Sequence, residues 1–217
     1  MKKKRIIIIA IIILLVLFIS DILYLVSFNL NAYDERFYSK EFTKYDVYGE
    51  FPGKDIDRIN SELLLYIKGK KDEYNTELFN DNEIEHMEDV RDLIHGLNIY
   101  YYFAMVFCVL LFVALFFLNK KRFFKNVAAV LFFSGAFSLV FVILLLVWVW
   151  IDFSSIFTVF HRAFFPQGGW MFAASDNIIK LYPSGLFYDI AKKIFISVVF
   201  YGNILILGGI LLFWKND

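Results

Sequence analysis

The sequence predicts an all-α membrane protein, a four-helix transmembrane bundle that carries a small extracytoplasmic α+β cap. Hydrophobic residues make up 59% of the 217 residues, which is more than an ordinary soluble domain contains. Four apolar runs also reach the roughly 20 residues that a helix needs to cross about 30 Å of hydrocarbon. These runs are Ile6–Phe28, Ile99–Leu118, Val127–Ile151 and Ile194–Trp214.

Charge and cysteine content argue against nucleic-acid binding and against thiol chemistry. The 22 basic and 22 acidic residues balance, so the chain has no overall positive field that would attract nucleic acid. The only cysteine, Cys108, lies inside the second apolar run, and no intramolecular disulfide can form. A thiol in such surroundings is rarely a thiolate, so we expect Cys108 to have a packing role.

Basic residues predict the orientation of the four spans. They are concentrated before the first run, between the second and third, and after the fourth, at Lys2, Lys3, Lys4, Arg5, Lys120, Lys121, Arg122, Lys125 and Lys215. The positive-inside rule then predicts that both termini lie in the cytoplasm. The first run is too long for a cleaved signal peptide and has no good cleavage site after it, which favours an uncleaved signal anchor.

The chain is thereby predicted to have seven segments. They are a cytoplasmic N-terminus with the first span (1–28), an extracytoplasmic cap (29–98), the second span (99–118), a cytoplasmic loop (119–126), the third span (127–151), an extracytoplasmic interfacial or re-entrant segment (152–193), and the fourth span with a cytoplasmic C-terminus (194–217).

The predicted cap combines a strand with helices. Residues 43–51 alternate with a period of two and end at Pro52-Gly53, which is typical of a β-strand. Apolar residues in 56–67 recur at helical spacing and stop before Gly69, a plausible C-terminal glycine. A further helix is expected to start near Asn80 or Asp81 and to continue into the second span.

The segment 152–193 is apolar and aromatic but is interrupted by proline and glycine, so its pieces are too short to span the membrane. Irregular backbone at membrane depth is tolerated where protein or water satisfies it. We therefore expect this segment to lie in the interface or to re-enter the bundle, and to form a binding cleft at the level of the lipid headgroups.

Histidines are the residues most suited to moving protons near neutral pH. On a helix, His86 faces an apolar stripe with Asp89 one turn further on, whereas His95 lies about 180° around the same helix. His161 stands beside Arg162 among aromatic residues. A simpler alternative for His86 and His95 is that each is a histidine on the helix surface. For His161 and Arg162, the simpler alternatives are contact with lipid headgroups or snorkelling of the arginine to the interface.

Asp21 is the one acidic residue inside a predicted span, at a depth where a carboxylate usually has a partner or a purpose. Arg162 is a possible partner. The sequence lacks the motifs of zinc proteases, serine hydrolases, phosphate-binding loops and dithiol redox sites. The spacing of the histidines and acids matches no known metal site, so neither metal nor cofactor is expected.

Three groups of residues together resemble the lipoprotein intramolecular transacylase (Lit) family of bacterial membrane proteins. They are Glu85-His86-Met87 with Asp89-Val90, Phe160-His161-Arg162 followed by Gly169-Trp170, and Ile178-Ile179 with Leu181-Tyr182-Pro183. The resemblance extends over the whole chain, including the four spans and the long first outer segment.

The resemblance implies an acyl migration within one substrate. That substrate is a lipoprotein whose N-terminal cysteine carries a diacylglyceryl group. The sn-2 acyl chain moves to the cysteine α-amine and leaves an N-acyl, lyso-form lipoprotein. No acyl-enzyme is required, because donor and acceptor are already on one molecule. The implied partners are this lipoprotein and membrane lipid, the site faces outward, and nucleic acid has no part in the reaction.

The same resemblance implies roles for individual residues. His86 and His161 form the catalytic pair, one as base to the amine and the other as acid or hydrogen-bond donor to the ester oxygens. Asp89 or Glu85 orients His86, and Arg162 binds the oxyanion or carbonyl. Trp170 and Tyr182 hold the glyceryl group.

Two other classes of function remain open on sequence alone. One is a non-enzymatic multi-pass transporter or accessory subunit, although transporters usually carry polar groups near mid-membrane. The other is a lipid-facing metal hydrolase, whose activity would be lost with chelators.

Overall fold

The computed structural model describes residues 2–216, and within that range the chain is helical and contains no β-strand. The elements in chain order are α1 (Lys2–Asn31), α2 (Glu35–Lys44), α3 (Val47–Glu50), α4 (Ile56–Ile67), α5 (Asp81–Leu118), a 3₁₀ turn (Lys120–Arg122), α6 (Phe123–Ile151), α7 (Phe153–Phe164), α8 (Asn177–Leu181) and α9 (Ser184–Lys215). Met1 and Asp217, which the predicted first and last segments include, lie outside the described residues.

Four helical stretches are long and apolar enough to cross a membrane, namely α1, α5, residues 120–151 and α9. In the most apolar part of each stretch, only 17–28% of the residues are buried within the protein. The other apolar side chains point outward, as expected for helices whose solvent is lipid rather than water.

The described residues form two compact units. The first contains the residues up to 29, residues 99–147 and the residues from 193 onward, and it therefore holds the apolar parts of α1, α5, α6 and α9. The second contains residues 30–98 and 148–192. Helix α5 belongs to both, because it runs from Asp81 to Leu118 without a break.

Polar side chains in the first unit satisfy backbone carbonyls between helices. The Ser20 hydroxyl donates to the carbonyl of Val16 in its own helix at 2.8 Å, and lies 3.2 Å from the carbonyl of Ser134 in α6. The Tyr24 hydroxyl donates to the carbonyl of Ser138 at 2.9 Å. Helix α1 is thus joined to α6 by side chains that would otherwise be costly to bury.

Glycine brings α6 and α9 into close contact. A Cβ atom added at Gly135 would lie 2.5 Å from the carbonyl oxygen of Gly202, and one at Gly209 would lie 2.7 Å from the backbone nitrogen of Phe132. Backbone atoms cannot move aside as a flexible side chain can, so these two helices need glycine at their contact.

The second unit has its own hydrophobic core, drawn from α2, α3, α4, the start of α5, α8 and the start of α9. Its most deeply buried members are Phe42, Val47, Ile56, Leu63, Leu181 and Leu186. The ring of Tyr45 packs so closely on Gly185 that an added Cβ would lie 2.5 Å from it. Lys44 pairs with Asp189, which joins the end of α2 to the first turns of α9.

The predicted strand at residues 43–51 is wrong. The chain there completes α2 at Lys44, turns at Asp46 in the left-handed region (φ 52°) and forms the short helix α3. The buried residues are Phe42, Val47 and Phe51, and the spacing of five between the first two breaks the period of two that a strand with one buried face requires. A lone strand would have left its backbone groups unpaired, since no second strand exists in residues 2–216, whereas helical turns pair them locally.

The start of α5 is held by a buried carboxylate that caps the helix and reaches another segment. The Asn80 backbone N–H donates to Glu83 Oε2 at 2.7 Å, and the Glu83 N–H donates to Asn80 Oδ1 at 3.1 Å, a reciprocal capping arrangement. The second oxygen of Glu83 accepts from the Ile178 N–H at 2.7 Å. Glu83 is fully buried, and it attaches α8 to α5 one turn before His86.

Candidate active site

Two imidazoles from distant parts of the chain meet in the second unit. His86 is in the first third of α5 and His161 is in the last turn of α7, and their ring centroids are 6.2 Å apart with the planes inclined at 31°. His86 is 6% exposed and His161 is 9% exposed. Both rings are therefore closed off from solvent in this structure.

The local sequence explains the position of His161. Asp152 caps α7 by accepting from the Ser155 N–H at 2.9 Å, and the helix is strongly amphipathic, so His161 faces inward with Phe157 one turn before it. The Nδ1 atom of His161 lies 2.8 Å from the Phe157 carbonyl oxygen. A carbonyl only accepts, so Nδ1 carries the hydrogen and the neutral ring presents an unprotonated Nε2.

His86 has an apolar environment. Its ring contacts Phe165 at 5.2 Å and Phe172 at 5.4 Å between centroids, and its Nδ1 is buried with no hydrogen-bond partner among the described residues. An unpaired polar atom in such a place is costly, and it is available to a ligand that reaches it.

Both histidines are uncharged near neutral pH. Burial, followed by the neighbouring His161, lowers the pKa of His86 from 6.5 to about 4, and the charge of Asp89 opposes this only in part. His86 lies thirteen residues before the apolar part of α5 begins at Ile99, outside the span itself. Burial also lowers the pKa of His161, against the opposing hydrogen bond to the Phe157 carbonyl. The pair can thus accept or donate a proton without carrying a resting charge.

The histidines are covered by residues 165–172, which we call the access segment. Phe165, Trp170 and Phe172 lie against the two rings, with Trp170 at 5.0 Å from His161. Gly168 and Gly169 have φ values of 90° and 79°, in the left-handed region where glycine is favoured. The Gln167 amide donates to the carboxylate of Asp89 in α5 at 2.9 Å.

The structure brings some of the other predicted residues to the histidines and separates the rest. Trp170 contacts His161 directly, and Asp89 lies one turn beyond His86 and is bonded to the access segment. Glu85 and Arg162 are exposed. His95, on the opposite face of α5, is exposed as well.

Tyr182 is in the core of the second unit rather than against the imidazoles. It is 7% exposed, and its hydroxyl donates to Asn60 Oδ1 at 2.8 Å. Two phenylalanine rings separate the Tyr182 ring from His161. Tyr182 packs on Phe187 at 6.3 Å between centroids, Phe187 packs on Phe157 at 5.7 Å, and Phe157 packs on His161.

Several residues of the site were not predicted from the sequence. Phe157 stands four residues before His161, a spacing that could have identified the carbonyl partner once the helix was assumed. Gln167 lies in a Pro-Gln-Gly-Gly turn, and nothing in the sequence indicates its bond to Asp89. Within residues 2–216, no group of three or more histidine, cysteine, aspartate or glutamate side chains is placed to hold a metal ion.

Comparisons of the sequence and of the fold with known proteins point to the same family. The sequence profile of the family described as lipoprotein intramolecular transacylase Lit matches residues 7–187. An uncharacterized protein of Aquifex aeolicus (strain VF5) is 28% identical over 134 residues, which is 61% of this chain. The chain matches 57% of that relative's length.

Among solved structures, the membrane integral lipoprotein intramolecular transacylase Lit from Bacillus cereus superposes with a TM-score of 0.79 at 19% identity, covering 96% of both chains. A variant of the same protein with one histidine replaced by alanine gives a TM-score of 0.77 at 18% identity, covering 96% of this chain and 94% of that one. At this identity the likeness concerns the fold, which is that of a multi-pass membrane protein.

Proposed function

We infer that the chain, which belongs to the lipoprotein intramolecular transacylase (Lit) family, is a membrane acyltransferase that acts on lipoproteins. In the proposed reaction, the sn-2 acyl chain of a diacylglyceryl group moves to the α-amine of the substrate's N-terminal cysteine. The product is an N-acyl lipoprotein in the lyso form. The observation that carries this proposal is the pair of buried, neutral imidazoles of His86 and His161.

The reaction needs little more than proton transfers. The amine nitrogen attacks the ester carbonyl carbon, a carbon–nitrogen bond forms, and the bond to the glyceryl oxygen then breaks. One proton must leave the amine, and one must reach the departing glyceryl alkoxide. Donor and acceptor are on the same molecule, so proximity supplies much of the rate and no acyl-enzyme is needed.

The geometry supports a division of labour between the histidines. His161 donates its Nδ1 hydrogen to the Phe157 carbonyl, so its Nε2 has a free lone pair and serves as base to the amine. The α-amine has a reference pKa of about 7.7–8, so it is mostly an ammonium at pH 7, but roughly a tenth is already unprotonated. His86 donates a hydrogen bond to the ester oxygens and protonates the leaving alkoxide, and the proton that His161 took from the amine then passes to His86, so that both rings end the reaction neutral.

The other predicted residues take supporting roles in this proposal. Asp89 orients His86, since it lies one helical turn away and is itself held by Gln167, whereas Glu85 points to solvent. Arg162 follows His161 and provides a positive charge for the oxyanion or carbonyl. Trp170 holds the glyceryl group against the ring of His161. Tyr182 supports the site through the packed rings that lead to Phe157 rather than through its hydroxyl.

Substrate must enter a site that is closed. The imidazoles are 6% and 9% exposed, and Phe165, Trp170 and Phe172 of the access segment pack on them in addition to Phe157 and Phe160 of α7. We infer that residues 165–172 change conformation at Gly168 and Gly169, so that Trp170 and Phe172 move off the imidazoles and admit the ester. Closure then excludes water from the reacting groups and strengthens every electrostatic contact made there.

The location is proposed to be the bacterial plasma membrane, with both termini in the cytoplasm and the histidines at the outer face. Support comes from the lysines and arginines at the start of α1 and in the turn between α5 and α6, a distribution that the positive-inside rule assigns to the cytoplasm.

Mass spectrometry of a mature lipoprotein tests the function. We expect expression of the chain in bacteria to place an acyl group on the cysteine amine and to leave a lyso-glyceryl group. Substituting His86→Asn or His161→Asn should lower the yield at least about 100-fold, the usual contribution of general acid–base catalysis, at unchanged protein level. His95→Asn is the matched control on the exposed face of α5. An absent N-acyl lyso-form with the wild-type chain would remove the proposal.

A further inference from the structure

Asp21 is the only acidic residue within the four apolar runs, and the proposed reaction does not use it. Its side chain is exposed, on the same stripe of α1 as the exposed residues Leu14 and Leu17. A carboxylate on an apolar outer surface is costly where water is scarce. Such a residue is expected to have a partner that compensates its charge.

The partner within the protein is neutral. The Tyr100 hydroxyl donates to Asp21 Oδ2 at 2.6 Å, and the Tyr100 ring stacks on Phe18 at 6.4 Å between centroids. None of the ion pairs found in residues 2–216 includes Asp21. The tyrosine holds one oxygen of the carboxylate in place, but it leaves the negative charge uncompensated.

The depth of Asp21 indicates what could supply a positive charge. Asp21 is sixteen residues past Arg5, about 24 Å along α1 at 1.5 Å per residue. Tyr100 is the second residue of the apolar part of α5, which begins at Ile99. Both therefore lie at the far end of the hydrocarbon from the basic residues of the N-terminus, where lipid headgroups and their amines are found.

We propose that Asp21 and Tyr100 form a binding site for the primary ammonium group of a lipid at this outer interface. An ammonium carries three donors and a full positive charge, which match the free oxygen of Asp21. The interface is less polar than water, so the attraction between the charges is stronger there than on a soluble surface. The fixed tyrosine hydroxyl holds the carboxylate ready for such a ligand.

Two lipids carry this chemistry. One is an aminophospholipid with a phosphoethanolamine headgroup. The other is the lipoprotein substrate itself, whose α-amine is largely an ammonium before it loses its proton, and this second source rests on the proposed function. Held at Asp21, the substrate would be concentrated at the outer interface in its charged form.

Native mass spectrometry of the purified protein tests the site. The first comparison is retention of phosphatidylethanolamine against phosphatidylglycerol with the same acyl chains. The second is retention of a diacylglyceryl lipopeptide with a free amine against its N-acetylated form. We expect the wild type to prefer the ammonium lipid roughly fivefold, the order that one partly exposed ion pair supplies, and Asp21→Asn to abolish that preference.

Two further variants complete the design. Tyr100→Phe removes the hydrogen bond that fixes the carboxylate and should lower the preference in part, and it carries the test if Asp21→Asn does not accumulate. Glu50→Gln is the matched control, because it removes an exposed carboxylate from α3, outside the spans.

Each outcome decides the proposal. A lost preference for phosphatidylethanolamine alone, for the lipopeptide alone or for both supports the site and identifies its ligand. An unchanged preference for both lipids in Asp21→Asn and Tyr100→Phe overturns it. The phospholipid comparison needs no turnover, so a chain that shows the Asp21-dependent preference but makes no N-acyl product would retain this site and refute the proposed reaction.

Discussion

The buried imidazole of His86 makes the stability of the protein depend on pH in a predictable way. The unfolded chain binds a proton at this histidine near pH 6.5, whereas burial and the neighbouring His161 lower the pKa in the folded state to about 4. Between these values the unfolded state binds more protons, so the free energy of unfolding falls as the pH is lowered. Above pH 6.5 this group has no effect.

The size of the effect follows from the two pKa values. A difference from 6.5 to about 4 corresponds to about 3 kcal/mol at 1.36 kcal/mol per pH unit. We expect His86→Phe, which keeps a ring among Phe165 and Phe172 but cannot titrate, to lack this part of the pH dependence. The difference in unfolding free energy between wild type and variant should therefore change by about 2–3 kcal/mol between pH 7 and pH 4.5.

Reversible unfolding in mixed detergent micelles, followed by tryptophan fluorescence over a series of pH values, provides the measurement. Other carboxylates titrate in the same range in both proteins, so only the difference between them is interpreted. His95→Gln removes an exposed histidine from the same helix and serves as the control. The contrary result is a difference in unfolding free energy between the wild type and His86→Phe that stays constant to within about 0.5 kcal/mol from pH 7 to pH 4.5. That result would show that His86 is not desolvated as described.

Two further substitutions test the supports of the site. Glu83→Gln should lower the unfolding free energy by about 2–4 kcal/mol in the same assay at pH 7, because the single oxygen of an amide can replace only one of the two carboxylate oxygens that accept from Asn80 and Ile178. Glu85→Gln, two residues away and exposed, is the control. Equal effects of the two substitutions would contradict the capping role of Glu83. Gln167→Ala removes the only hydrogen bond described from the access segment to α5, so diethylpyrocarbonate should modify the two imidazoles several-fold faster than in the wild type. An unchanged rate would mean that Gln167 does not keep the segment closed.

The membrane architecture could be predicted from the sequence because the bilayer imposes a simple requirement. A span needs about 20 apolar residues whose backbone groups are all paired within the helix, and few other arrangements satisfy that condition. Runs such as Ile99–Leu118 therefore indicate their structure without reference to any neighbour. The family resemblance, which the match over residues 7–187 confirmed, depended on short motifs around His86 and His161.

The cap was predicted less well because its structure depends on tertiary contacts. Residues 43–51 alternate locally, but Phe42, Val47 and Phe51 pack into a core shared with α4 and α8, and that core favours helical turns. Glu83 looked like one acid among many in the first turn of a helix. Its burial results from the approach of Ile178, ninety-five residues later, which no local pattern records.

In the proposed reaction, the enclosure of the histidine pair also affects whether the amine or water attacks the ester. An ester activated beside two imidazoles in contact with water would be hydrolysed, and the cell would lose a fatty acid without gaining an amide. With His86 6% exposed and His161 9% exposed beneath Phe165, Trp170 and Phe172, the proposed reaction would leave the tethered amine as the one nucleophile at high local concentration. The ratio of amide product to released fatty acid thus becomes a direct report of how tightly the aromatic cover fits.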